Sequence, residues 1–200
     1  MSIVKIIRHF EGLGRAPVQI PDILKQIQAV TLDERVEIHG YDRPANKLRG
    51  FHYRYHIEPL KDSALMPERV AVAAYSVQQA NEWQRLVCAK ELVHIFDRDP
   101  IKTSSKLEVV RLGHHIGGNV KFDDVDDNNI QSFFDEVAKY QALAILFPFG
   151  LREDILASAA TIDDALINRV AQHVEVPVDF VEMVLGNIWP LMHVNIHAVG

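Results

Sequence analysis

Cysteine is almost missing from this chain. Cys88 is the only one in 200 residues, which excludes an internal disulfide and every zinc site built from clustered cysteines. Long apolar runs are missing too, and none approaches the roughly 18 residues that a membrane-spanning helix needs. Met1 to Arg15 has no apolar stretch followed by a small-residue cleavage site, so no signal peptide is expected there. A basic excess is also lacking. The net charge is −6, whereas binding to nucleic acid needs a basic face. The one segment with a helix-turn-helix look, Ile167 to Leu185, carries Arg169, Glu175, Asp179 and Glu182, and so lacks the surface that phosphates require. Repeats and low-complexity tracts are absent. Together these absences point to a cytoplasmic protein with neither a membrane nor a nucleic acid as direct partner.

The composition, 48% hydrophobic and 24% charged, is that of a globular domain with a real core, and the length suits one domain. We expect a single domain over 1–200, divided into an N-terminal helix or arm (1–34), a small sheet (35–75) and a helical part (76–200) with an irregular insert at 99–129. Ile23 to Val30 reads as a short helix. Val36 to His39 alternates, and Gly40 to Pro44 reads as a turn. Phe51, Tyr53, Tyr55 and Ile57 alternate with His52, Arg54 and His56, the period of a half-buried strand. Val70 to Tyr75 is a third strand candidate.

Then the period changes. Ser76 with Gln79 three residues on predicts a helix start, and Ala80, Trp83, Val87, Leu92, Ile95 and Phe96 recur at helical spacing up to about Asp97. A second strong helix is predicted from about Ile130 to Phe147, stopped by Pro148 and Gly150. Thr161 with Asp164 opens a third over Ile162 to about His173, and a last one spans about Asp179 to Leu185. A small sheet followed by helices is an α+β arrangement. Trp83, Phe96, Phe133, Phe134 and Tyr140 are read as core between the two long helices, and Cys88 as a small buried apolar residue.

Ala89-Lys90-Glu91-Leu92-Val93-His94 carries the chemistry. Two histidines four apart on one helix share a face and reach one ion, while a glutamate directly after the first takes a proton from metal-bound water. Here Glu91 and the second histidine, His94, stand in place, but the first position is Lys90. An ammonium donates hydrogen bonds and offers zinc no lone pair. The stretch Asp135 to Pro148, with Ala138, Ala142, Ile145 and Leu146, resembles the second site helix of the ImmA/IrrE family of metallopeptidase-like proteins. Ala89 to His94 looks like that family's first site helix, and Ala171 to Met183 with Val176-Pro177 looks like its C-terminal helix pair.

The resemblance covers roughly Arg35 to Leu185. It implies a zincin-like fold, in which a small antiparallel sheet packs on a helical bundle that carries the site on two facing helices. It also implies a degenerate member, inactive as a peptidase and acting through a protein or peptide partner in regulation, since members of that family often cleave or control repressors. Lys90 would take the place of the metal's charge, pairing with Asp135 and Glu91, and no cofactor would be needed. The rival expectation is an active zinc peptidase with Glu91 as general base, His94 and Asp135 as ligands, and His114 or His115 as a substitute third. A further rival is a small-ligand module reusing the vacated cleft. Asp97 is read as a plain helix-end charge.

Overall fold

Ile3, Ile6, Ile7 and Phe10 recur at helical spacing and are buried along one side of α1 (Ile3–Leu13). The computed structural model describes residues 3–32, 34–59, 66–97 and 127–199. In it the expected N-terminal arm is two helices, α1 and then α2 (Ile20–Val30), which buries Ile23 and Ile27. Three strands follow: β1 (Glu34–Tyr41), β2 (Gly50–Ile57) and β3 (Glu68–Ser76). Next comes α3 (Asn81–Val93), continued by a single 3₁₀ turn at His94–Phe96. The rest is helical: α4 (Asp127–Leu146), α5 (Phe149–Ser158), α6 (Asp164–Val174), α7 (Val178–Leu185) and α8 (Trp189–Val199). The α+β class holds.

The sheet is mixed, which corrects the expected antiparallel one. Its order is β1-β3-β2, with β1 parallel and β2 antiparallel to β3. Period-two alternation reports which side chains share a face but not which strand lies alongside, so β3 entering between β1 and β2 was not legible. Register explains how the sheet meets α3. Ala71 and Ala73 of β3 lie beside Val36 and Ile38 of β1 on one side and Arg54 and His52 of β2 on the other. Two alanines let the helix come close. The helix-facing layer therefore runs from apolar at β1 to polar at β2. The aromatic half of β2 lies on the other face, where Tyr41, Phe51, Tyr53 and Tyr55 stack in a ladder with ring centroids 5.5–6.0 Å apart.

The core runs along α4, where every residue from Ala142 to Leu146 is buried, as is Phe147 just beyond its end, and α1, α3 and α8 pack against it. Trp83, Phe96 and Tyr140 pack at the margin of this core; the side chains of Phe133 and Phe134 lie outside the described residues. Cys88 is buried as expected, and burial pushes its thiol up to about 12.

Several boundaries differ from those expected. Ser76 caps no helix: it ends β3, its hydroxyl donates to the Arg43 carbonyl and accepts from the Gln78 N–H, and α3 starts five residues later. At α6 the cap is Asp163, which accepts from the Leu166 N–H at 2.8 Å, so Thr161 lies outside the helix. Pro148 ends α4 and also precedes α5, a helix not anticipated. Also unanticipated was α8, whose buried Trp189, Met192, His193 and Ile196 follow a helical stripe that a histidine interrupts.

Gly50 sets how closely β2 approaches the helix. A Cβ there would fall 2.3 Å from Val87 Cγ1, 2.9 Å from the Ala74 carbonyl oxygen and 3.0 Å from Glu91 Oε1. The carbonyl belongs to the adjacent strand and cannot move aside cheaply. Gly50→Ala is therefore expected to lower the unfolding free energy by about 2 kcal/mol, read as a shift in the urea midpoint at constant slope. An unshifted midpoint would show that the strand has room to retreat.

Candidate functional site

Lys90 and Glu91 sit on the last turn of α3 and His94 caps it, its N–H still reaching the Lys90 carbonyl, so the four-residue helical spacing is kept. Asp135 comes from the facing helix, α4. The Lys90 ammonium bridges the two helices. It donates to Asp135 Oδ1 and lies 3.0 Å from Glu91 Oε1. The Glu91 contact is an ion pair without hydrogen-bond alignment, since Oε1 is buried and accepts no hydrogen bond. Glu91 is only 2% exposed, so its charge depends on neighbours rather than on water.

His94 is held from both ring nitrogens. Nδ1 lies 2.6 Å from Asp97 Oδ2 and Nε2 lies 3.4 Å from Asp135 Oδ1. From β2, His52 stacks on it with ring centroids 4.7 Å apart and an interplanar angle of 14°. His52 Nδ1 is 3.6 Å from Glu91 Oε2. His52 and Asp97 thus join the site, although neither was read from the sequence as one of its residues. Asp97 does stand at the helix end, capping the 3₁₀ turn, and is in addition the partner of His94. The signals were its spacing of three from His94 and, for His52, membership of the polar half of β2. His114 and His115 lie outside the described residues.

These contacts set the protonation states. Burial works against a charge on Lys90, but the Glu91 charge and the hydrogen bond to Asp135 outweigh it and raise the ammonium above its ordinary value. Burial also opposes a charged His94, yet the hydrogen bonds to Asp135 and Asp97 carry it from 6.5 up to about 9. Asp135 falls well below the usual carboxylate range, first through His94 and then, against burial, through Lys90. At neutral pH the site holds two cations, Lys90 and His94, beside Glu91, Asp97 and the ionised Asp135.

This donor set does not fit the zinc that the family resemblance implies. The first ligand position holds a protonated amine, which has no lone pair to give. Asp135 and one edge of Glu91 already face that amine. His52, Glu91 and His94 do place one ligand atom each within 4.8 Å of one another, a trio that leaves Asp135 aside. A pocket of about 270 Å³ opens elsewhere along α3, beside Arg85, Cys88 and Glu175, and its lining includes none of Lys90, Glu91, His94 and Asp135. No protein-family model, curated protein or solved structure matches the chain.

Proposed function

We propose that this chain is a degenerate metallopeptidase-like protein of zincin-like, ImmA/IrrE type that works by binding a protein or peptide in regulation rather than by cutting one. The observation that carries the reading is the Lys90 ammonium lying between Asp135 of α4 and Glu91 of α3. A fixed cation there neutralises the carboxylates that a metal would otherwise bridge. It also engages Glu91, the residue that would have to take a proton from water. What supports a peptide partner is the sheet edge: among the described residues β2 pairs only with β3, so its other edge is open to an added strand. A peptide paired there would run past His52 and the site. No helix among the described residues is long and apolar enough to cross a membrane.

A second reading, zinc peptidase activity with a substitute ligand, is favoured by the His52–Glu91–His94 trio. Metal content of protein purified without chelator separates the two. The first reading expects no zinc whose binding depends on His94, and expects Lys90→His to gain one equivalent that His94→Ala then removes. Zinc in the unaltered protein that disappears on His94→Ala overturns it.

A further inference from the structure

We propose that Glu11, His193 and His197 form a binding site for a divalent transition-metal ion of the zinc class, tying α1 to α8. The site is remote in sequence from the Lys90 cluster and shares no residue with it. His193 and His197 stand four apart on α8, so their rings share one face. Both turn Nε2 to the same point, and the two nitrogens are 3.3 Å apart. Glu11 of α1 brings Oε1 to that point, 2.5 Å from His193 Nε2 and 3.2 Å from His197 Nε2. Three lone-pair atoms from two helices, 186 residues apart at their widest, converge on a volume about one ion across.

The spacing has metal-site dimensions. Ligands at roughly 2.0–2.1 Å from a tetrahedral zinc lie about 3.3 Å from one another. Two of the three edges already match. The third needs the Glu11 carboxylate to withdraw by somewhat under ~1 Å on that scale, and its flexible side chain, 23% exposed, has the freedom to do so. The rings are held in place: His193 stacks on Phe149 with centroids 4.5 Å apart, and His197 meets it edge-on at 4.6 Å. The Arg152 guanidinium, whose charge acts on His193, is itself turned to the carbonyls of Val184 and Gly186 and to Glu153, which balances it.

Two imidazoles and a carboxylate, with no thiolate, form the donor set of zinc and its first-row neighbours rather than of calcium or copper(I). The three protein ligands leave a fourth position for water. The plain alternative is a hydrogen-bonded triad, with the histidines donating to Glu11 and no ion.

Zinc titration of metal-stripped full-length protein decides between them. We expect one equivalent to bind and the thermal midpoint to rise with zinc concentration, as binding to the folded state requires. His197→Ala should weaken binding by more than the roughly 10–100-fold that loss of an outer-shell contact costs. Glu11→Gln keeps the size and hydrogen-bonding reach of the side chain, so it checks the same point should His197→Ala fold poorly. His94→Ala should leave this equivalent intact, which separates the site from the Lys90 cluster. Zinc binding unaltered by both Glu11→Gln and His197→Ala, or no rise in midpoint with zinc, overturns the proposal.

Discussion

Replacing Lys90 with methionine is expected to lower the unfolding free energy at pH 7 by about 3 kcal/mol, the scale set by stranding one member of a buried ion pair. Methionine keeps the unbranched stem and so isolates the loss of charge. The ammonium is 16% exposed and one of its partners, Glu91, is 2% exposed. Without it Glu91 keeps His52, at 3.6 Å, as its ion-pair partner among the described residues. Asp135, with half its side chain in water, loses much less. Most of the cost therefore falls on Glu91, and the double variant Lys90→Met/Glu91→Gln should recover the larger part of it. A loss under about 1 kcal/mol, the ceiling for exposed pairs, would reduce Lys90 to a surface lysine and remove the basis for treating it as a stand-in for an ion. A double variant no more stable than the single would place the cost in packing rather than in charge.

The pairing of Lys90 with Asp135 and Glu91 was legible because helical spacing is a strong constraint. Once Ala89 to His94 is a helix, residues 90 and 94 share a face, and a second long helix bearing Asp135 is the natural partner for it. The helices α3, α4, α6 and α7 were legible from apolar periodicity, whereas α5 and α8 were not, and the start of α3 was misplaced. Ser76 looked like a cap because a serine followed by a glutamine has the right chemistry, but its hydroxyl was already engaged with Arg43 and Gln78. What periodicity could not supply was the neighbour relation between strands. His52 reaches the site only because β3 lies between β1 and β2 and because Gly50, lacking a side chain, lets the edge strand close on Val87 and Glu91. The aromatic half of β2 drew attention as the apolar face, while the chemistry lay on the polar half. Histidines at helical spacing in α8 went unread for a related reason. They fall on the buried stripe itself, where an apolar residue is the expected occupant.

Stability should also fall in mild alkali. Hydrogen bonds to Asp135 and Asp97 overcome burial and hold His94 at about 9, against an ordinary 6.5. The folded protein therefore binds this proton more tightly than the unfolded chain does. Its contribution is complete below about pH 6.5 and is lost as pH rises through about 9, a fall of about 3 kcal/mol at most. On the acid side Asp135 acts in the opposite sense. Its folded value is depressed, so its contribution is present above the ordinary carboxylate range near 4 and fades as pH drops, by an amount that its half-exposure keeps small. The joint contribution of His94 and Asp135 should then be greatest between about pH 4 and 6.5, while His193, lowered by burial, works in the opposite sense below 6.5. Cys88, pushed up to about 12, subtracts stability only above its ordinary value of 9.0. Urea unfolding at pH 6 and pH 9, on the unaltered protein and on His94→Gln, isolates the histidine. The unaltered protein should lose stability between those values and the variant should lose far less. The same change between the two pH values in the unaltered protein and in His94→Gln would mean that His94 is neutral in the fold, and with it that Asp97 and Asp135 face an uncharged ring rather than a second cation beside Lys90.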